Sequence, residues 1–180
     1  SEGLILLCKR RGISFVNGRG AFKDSNTIKI SGDHSITFDR CIIATGSRPV
    51  IPKNFIDNRS IVIDSTEALN LPIVPERMLI VGGGYIGLEI GTVYSSLGSH
   101  VTIVEVKDGL LPGVDRDLVR PLQEKLNKEF ETVRLNTEIV SIRESGKSGY
   151  VTMATAEETI EESFDRILVS VGRRPNTDKI

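Results

Sequence analysis

The sequence predicts an α/β protein of three layers (β/β/α), in which a parallel sheet carries helices and an antiparallel β-meander, flanked by a second β-meander. Three observations predict this class. From Met78 onward, buried apolar runs alternate with helical patterns, the order that builds a parallel sheet with right-handed crossovers. Short strand-like runs, separated by turns rich in Gly, Asn and Asp, precede this region and follow it. The segment FDRCIIATGSRP at 38–49 returns as FDRILVSVGRRP at 164–175, which indicates two related structural units.

Length and composition exclude several classes of function. The chain has 180 residues, of which 39% are hydrophobic and 26% charged, as is ordinary for a soluble globular chain of one or two domains. Its net charge of −1 gives no electrostatic reason to expect a nucleic-acid partner. No apolar stretch approaches the ~18 residues of a membrane span. The sequence therefore predicts neither a nucleic-acid partner nor a membrane partner.

The residues that bind metals or act as nucleophiles are scarce. Cys8 and Cys41 have neither the close spacing of a redox pair nor that of a metal site, so we expect both to be reduced and inert. The two histidines, His34 and His100, have no second ligand type nearby in the sequence. We therefore predict no metal site and no Ser-His-Asp triad.

The elements before Met78 are short. Residues 13–16, 27–30 and 35–38 fit strands of an antiparallel meander. Residues 49–75 contain four prolines and one short predicted strand at 60–63, so they form a connection between units.

A second meander is predicted at about 138–163, just before the second copy of the repeated segment. In each copy, a polar lead-in precedes an apolar run suited to a strand buried on both faces, at 41–44 and 167–169. Each run ends at a Gly, Arg and Pro sequence, and Pro cannot continue a central strand.

The chemistry begins at MLIVGGGYIGLEIGTVYSSLGSHVTIVE, residues 78–105. Gly82, Gly84 and Gly87 form a G-x-G-x-x-G between a buried run and a helix that starts near Tyr85. The first glycine permits a tight turn, the second lets the backbone approach a pyrophosphate, and the third allows the helix to pack closely on the strand. The phosphates would bind at the helix N-terminus, where N–H groups and the helix dipole favour an anion. The motif predicts a Rossmann-like dinucleotide site, and the alternative is a plain packing turn.

Glu105 ends the second predicted strand, 101–104, roughly 20 residues after the first glycine. Its carboxylate can accept hydrogen bonds from an adenosine ribose and would repel a 2′-phosphate, so NAD is favoured over NADP. The alternative is a solvated acid at a strand end, and Lys107 would weaken the repulsion.

Two helices follow from the apolar periodicity. The first has Ile86, Ile90, Val93 and Leu97 on one face, and Gly91 extends its close approach to the sheet. The second runs from about 115 to 130 with Leu118, Leu122 and Leu126 in register, and Asp115 or Asp117 caps it. Pro121 predicts either a bend or a later start.

Tyr85 and Glu89 lie one helical turn apart on a flank of the first helix. Such a flank either faces water or lies at the ends of the strands, where a nicotinamide would bind.

Taken together, GGGYIGLEIG, VTIVE, ATGSRP and VGRRPNT resemble the flavin-dependent pyridine nucleotide-disulfide oxidoreductases, most closely their bacterial dihydrolipoamide dehydrogenase branch. The resemblance covers essentially the whole chain. In this family an NAD domain interrupts an FAD domain of similar build, which accounts for the repeated segment.

The resemblance implies a role for each matching residue. Ile139 would lie against the adenine, 170–173 would border the nicotinamide, and Glu89 would lie near the nicotinamide ribose and the flavin. Tyr85 would cover the flavin until nicotinamide displaces it. The implied NAD neighbours are Gly82, Gly83, Gly84, Tyr85, Ile86, Gly87, Glu89, Glu105, Ile139, Ser170, Val171, Gly172 and Arg173, and the implied FAD neighbours are Gly20, Thr45, Gly46 and Ser47.

The resemblance also implies the domain limits. Residues 1–50 would be the outer part of the FAD-binding domain, 51–75 a connection, 76–172 the NAD-binding domain and 173–180 the return to the FAD domain. The chain begins without Met and has no C-x-x-x-x-C pair, no N-terminal glycine fingerprint for FAD and no later His-Glu dyad. We therefore expect an excised piece that has no catalytic residue of its own and is inactive alone.

The expected full enzyme oxidises dihydrolipoamide to lipoamide and passes electrons through a disulfide and FAD to NAD⁺. It would be a cytoplasmic homodimer that serves a 2-oxo acid dehydrogenase complex. The alternatives are a flavoprotein disulfide reductase of the mercuric or glutathione reductase type, or a non-catalytic nucleotide-binding module.

Overall fold

The computed structural model describes residues 2–32, 34–58, 60–178 and 180. They form two compact units. Unit 1 contains the residues up to Gly46 together with those from Pro175 onward, and unit 2 is Ser47–Arg174. The predicted identity of each domain stays a prediction.

Unit 1 contains one helix, α1 (Glu2–Arg10), and an antiparallel sheet of β1 (Gly20–Asp24), β2 (Thr27–Ile30) and β3 (Ser35–Thr37). The predicted meander is therefore confirmed, but its first strand is not at 13–16, which is exposed and has no strand structure. The strand that pairs with β2 is β1, and Asp24 closes the hairpin between them, because its carboxylate accepts a 2.9 Å hydrogen bond from the backbone N–H of Asn26. This bond forms the turn of the hairpin and lowers the pKa of Asp24.

The prediction of a buried strand at 41–44 is wrong in this structure. Residues 41–46 have no strand structure, and Ile42 is 91% exposed. A strand buried on both faces needs neighbouring strands, and no strand among the described residues pairs with this run.

Unit 2 is built on a parallel sheet of five strands in the order β5-β12-β6-β7-β8. Its elements in chain order are β4 (Ser47–Pro49), a 3₁₀ helix (Lys53–Asn58), β5 (Val62–Ile63), α2 (Ser65–Ala68), β6 (Arg77–Val81), α3 (Tyr85–Ser96), β7 (His100–Val104), α4 (Arg116–Glu129), β8 (Thr132–Arg134), β9 (Glu138–Ser145), β10 (Ser148–Ala154), β11 (Thr159–Phe164), β12 (Arg166–Val169) and β13 (Arg173–Pro175). The strands β9, β10 and β11 form the predicted antiparallel meander.

The alternation of side chains along β6 separates two cores. Met78 and Ile80 belong to the core that α2, α3 and α4 cover. Leu79 and Val81 belong to the core beneath the meander. Since all four side chains are at most 7% exposed, the sheet is covered on both faces. The predicted three-layer α/β class is confirmed.

The buried face of α3 differs from the predicted one. Of the predicted residues only Ile90 is buried, whereas Val93 is 56% and Leu97 58% exposed. Two glycines of α3, Gly87 and Gly91, are buried instead, together with its residues Leu88 and Tyr94. The buried face of the helix therefore combines the large side chains of Leu88, Ile90 and Tyr94 with two glycines that allow a close approach to the sheet.

The helix α4 begins at Arg116 with Asp115 as its N-cap, so a start after Pro121 is wrong. The Asp115 side chain makes no hydrogen bond at the cap. Leu126 is buried as predicted, but Leu118 is 68% exposed and Val119 is buried in its place. The predicted register is therefore rotated by one residue at the start of α4.

Residues at the same position in the two repeated copies meet at the ends of unit 2. The Arg173 guanidinium donates 2.7 Å hydrogen bonds to the hydroxyl and to the carbonyl oxygen of Ser47. The Val50 N–H donates to the Gly172 carbonyl at 3.0 Å. The chain therefore enters unit 2 and leaves it through one short ribbon, the two-stranded sheet of β4 and β13.

Within the part of the chain that the structure describes, no helix is long and apolar enough to cross a membrane. No group of three His, Cys, Asp or Glu side chains that could hold a metal ion occurs among the same residues.

Candidate nucleotide-binding site

The glycine turn follows β6 directly. Gly82 has a φ of +109°, which L side chains rarely adopt, and its N–H donates to the Val104 carbonyl at 2.8 Å. A methyl group at Gly87 would collide with the Gly82 carbonyl oxygen and lie 2.6 Å from the Ser170 hydroxyl. Gly82 therefore forms the tight turn, and Gly87 allows the helix to pack closely on the strand, as the motif predicts.

Gly84 behaves differently from the other glycines of the motif. A methyl group placed there would meet nothing within 4 Å, so the surface beside it is open. Gly84 is also the N-cap of α3 and has no side chain that could accept hydrogen bonds from the first turn. The backbone N–H groups at this helix start are therefore available to an anion that approaches over Gly84.

Glu105 lies directly after β7 and faces the glycine turn. It is 7% exposed. One carboxylate oxygen accepts a hydrogen bond of 2.7 Å from the Gly83 N–H, and the other accepts one of 2.9 Å from the Lys107 N–H. Because a carboxylate has about four acceptor positions, each oxygen keeps one for a further donor such as a sugar hydroxyl.

These residues border one groove of unit 2 with a volume of about 810 Å³. Ten of the thirteen predicted NAD neighbours line it: Gly82, Gly84, Tyr85, Ile86, Glu105, Ile139, Ser170, Val171, Gly172 and Arg173. A groove of this size, with a glycine turn and a buried acid on its wall, fits a dinucleotide.

The other three predicted NAD neighbours lie outside the groove lining. Gly83 lies behind Glu105, to which its N–H donates. Gly87 is buried against Gly82 and Ser170. Glu89 is exposed and lines a separate apolar cavity of about 580 Å³ beside α3.

The sequence did not point to several residues of the groove, among them Asn54, Phe55, Val106, Pro112, Thr137 and Glu138. Thr137 is 1% exposed, and its N–H donates to the Glu105 carbonyl at 3.0 Å. Ligands of open parallel sheets bind beyond the carboxyl ends of the strands, and that rule would have selected the residues after β7 and β8. No signal in the 49–75 connection would have selected Asn54 or Phe55.

The predicted FAD neighbours are divided between the two units: Gly20, Thr45 and Gly46 belong to unit 1, and Ser47 belongs to unit 2. Gly20 and Thr45 line a cavity of about 320 Å³ within unit 1. Gly46 accepts a 3.0 Å hydrogen bond from the Asn176 N–H through its carbonyl, and Ser47 binds Arg173. Their roles toward a flavin stay predictions.

Comparison with known proteins shows the same likeness over the whole chain. A family model described as pyridine nucleotide-disulphide oxidoreductase matches residues 1–180. The dihydrolipoyl dehydrogenases of Vibrio parahaemolyticus and Geobacillus stearothermophilus are 41% and 39% identical to this chain, over 97% and 99% of it but only 37% and 38% of their own length. The solved structure of RclA, an HOCl-induced flavoprotein disulfide reductase from Escherichia coli, matches with a TM-score of 0.82 at 28% identity, over 99% of this chain and 40% of that one. The chain thus spans less than half the length of these proteins.

Proposed function

Because the chain belongs to the pyridine nucleotide-disulphide oxidoreductase family, we propose that unit 2 binds NAD for a flavin-dependent disulfide oxidoreductase. The observation that supports this most is the buried Glu105 carboxylate, fixed by the Gly83 and Lys107 N–H groups on the wall of the groove. A carboxylate held in this way is oriented before the ligand arrives, so little conformational entropy is lost on binding.

In this proposal each part of the dinucleotide has its own contact. The pyrophosphate binds over Gly84 at the start of α3, where backbone N–H groups supply the hydrogen bonds. The adenosine ribose donates to the free acceptor positions of Glu105, and the adenine lies against Ile139. The nicotinamide half extends toward 170–173.

The preference for NAD over NADP follows from the same carboxylate. A 2′-phosphate would bring negative charge against a buried negative charge that is already held by two backbone N–H groups. Repulsion between like charges is stronger at a site largely shielded from water. Lys107 is near in sequence, but the contact it makes with Glu105 is through its backbone N–H.

For the whole protein we propose the reaction of the dihydrolipoyl dehydrogenases that the chain resembles. The dithiol of dihydrolipoamide would be oxidised to the disulfide of lipoamide, and NAD⁺ would take up two electrons and one proton as hydride while a second proton is released. Bound FAD would supply the relay of the two electrons between them. Gly20, Thr45, Gly46 and Ser47 are the residues of this chain proposed to adjoin the flavin.

We propose that this chain has no disulfide chemistry of its own. Its two cysteines, Cys8 and Cys41, are both free. The homodimer, the 2-oxo acid dehydrogenase complex and the cytoplasmic location expected for the whole protein also stay predictions.

A second candidate is a flavoprotein disulfide reductase with another substrate. The similarity to RclA supports it, because that protein is a disulfide reductase of a different name with the same fold over 99% of this chain. Reductases that use NADPH are disfavoured by Glu105.

Calorimetric titration of the chain with NAD⁺ and, separately, with NADP⁺ tests the proposal. We expect NAD⁺ to bind with clear preference. Binding of NADP⁺ at equal or higher affinity would contradict the role of Glu105, and absence of binding by both would contradict nucleotide binding by unit 2 alone.

A further inference from the structure

We infer that Arg116 is a positioning residue for the dinucleotide site. It holds the loop of residues 109–114, called the clamp loop below, against the Gly83 peptide, and so fixes the glycine turn in the shape that binds a pyrophosphate. This inference rests on the proposed binding of NAD.

The guanidinium of Arg116 binds the clamp loop at three carbonyl groups. Nη1 donates to the Leu110 oxygen at 2.9 Å, and Nη2 donates to the Leu111 oxygen at 2.7 Å. Nη2 and Nε donate to the Val114 oxygen at 2.8 and 3.0 Å. Four hydrogen bonds from one planar group fix the carbonyls relative to one another, because the fork of donors has a rigid geometry.

The clamp loop in turn contacts the glycine turn at two points. The Leu111 N–H donates to the Gly83 carbonyl oxygen at 2.8 Å. The Leu110 side chain is fully buried, and its Cδ2 would lie 2.7 Å from a methyl group placed at Gly83. The backbone of Gly83 is thus held at its carbonyl oxygen by the clamp loop and at its N–H by Glu105.

The backbone of the clamp loop has an unusual conformation that the guanidinium stabilises. Leu111 has a φ of +49°, in the left-handed region that branched and bulky side chains rarely adopt. Such a conformation is unfavourable for a residue with a side chain and persists only where its surroundings impose it. The Arg116 contacts on both sides of Leu111 supply that constraint.

Gly109 makes room for the guanidinium. A methyl group at Gly109 would lie 2.6 Å from Nη1 of Arg116. The loop therefore has a residue without a side chain at the position where the guanidinium approaches most closely.

Arg116 acts in this inference by geometry and not by charge. Lysine would keep the positive charge, but it presents one compact ammonium in place of a planar fork and cannot reach three separate carbonyls in the same arrangement. Arg116→Lys therefore separates the two effects. Arg120 lies one turn further along α4, and its side chain makes no hydrogen bond or ion pair with the described residues, so Arg120→Lys is a matched control.

The test measures two quantities on the 180-residue chain. The first is the hydrogen-exchange rate of the Leu111 and Gly83 amides without nucleotide, and the second is the calorimetric Kd for NAD⁺. In Arg116→Lys we expect exchange at Leu111 to be at least tenfold faster and Kd to rise at least fivefold. Arg120→Lys should leave both quantities at their wild-type values.

A second variant guards against a general loss of structure. Gly109→Ala disturbs the same contact from the loop and should change both quantities in the same direction, while thermal unfolding stays cooperative. Wild-type exchange in Arg116→Lys, or faster exchange with an unchanged Kd, would overturn the inference. If the wild-type chain binds no NAD⁺, the proposed function fails, and the exchange rates alone decide whether Arg116 fixes the Gly83 peptide.

Discussion

Replacing Glu105 by alanine tests the nucleotide site at its buried carboxylate. The substitution leaves the Gly83 and Lys107 N–H groups without their acceptor. A hydrogen bond to a charged group contributes about 1.5–3 kcal/mol, and water that enters the truncated site recovers part of this. We therefore expect the free energy of unfolding to fall by about 2–4 kcal/mol.

The same substitution should weaken NAD⁺ binding by about 10- to 100-fold, since one or two ribose hydrogen bonds are lost and each 1.4 kcal/mol is a factor of ten. NADP⁺ binding should change less, because the repulsive charge is removed together with the acceptor. Denaturant unfolding gives the first quantity, and calorimetric titration with the two nucleotides gives the second. Glu105→Gln keeps one acceptor oxygen and should fall between alanine and wild type.

Glu144→Ala is the control for this experiment, because Glu144 is an exposed carboxylate on β9 that does not line the groove. It should change neither quantity. An equal loss of affinity for NAD⁺ and NADP⁺ in Glu105→Ala would refute the role of the carboxylate in selectivity. An unchanged free energy of unfolding would refute the view that it holds the glycine turn.

Two further substitutions test the packing around the site. Gly87→Ala should lower the free energy of unfolding by about 1–3 kcal/mol and weaken NAD⁺ binding, because the new methyl group collides with the Gly82 carbonyl oxygen. An unfolding midpoint equal to that of wild type would contradict the close packing of Gly87. Tyr94→Phe removes a 2.6 Å hydrogen bond to the Ala68 carbonyl and should cost about 1–2 kcal/mol near neutral pH. Burial raises the pKa of Tyr94 above its ordinary 10.0. The contribution of Tyr94 to stability is therefore complete below about pH 10 and is lost as the pH rises further. Chemical unfolding at several alkaline pH values should show that the free energy of unfolding falls less steeply with pH in the variant than in wild type.

The buried strands and the glycine turn could be predicted from the sequence because their signal is local. The apolar runs of β6, β7 and β12 are short and continuous, as central parallel strands require, and each was predicted within one or two residues. Gly82 and Glu105 were selected by their spacing, and in the structure both line one groove.

The helix faces were predicted less well, for a physical reason. Hydrophobicity ranks glycine low, yet Gly87 and Gly91 are the residues at which α3 lies closest to the sheet, so a search for apolar residues selected Val93 and Leu97 instead. The strand at 41–44 failed because apolar composition predicts burial only where neighbouring strands exist to supply it.

The clamp loop could not have been predicted from residue types. Arg116 acts on main-chain carbonyls, and every residue in a loop presents a carbonyl, so the sequence contains no pattern that marks them. The same is true of Thr137, whose contact with Glu105 joins two main-chain groups.

The ribbon that joins Ser47 to Arg173 has a consequence for the engineering of this chain. A segment whose first and last residues lie side by side can be inserted into a host protein, or cut out of it, without stretching the host. The ribbon places the two ends of unit 2 in this arrangement. It also permits a circular permutation in which a short linker joins 174 to 47 and new termini open at the exposed Gly146 hairpin between β9 and β10, away from the nucleotide groove.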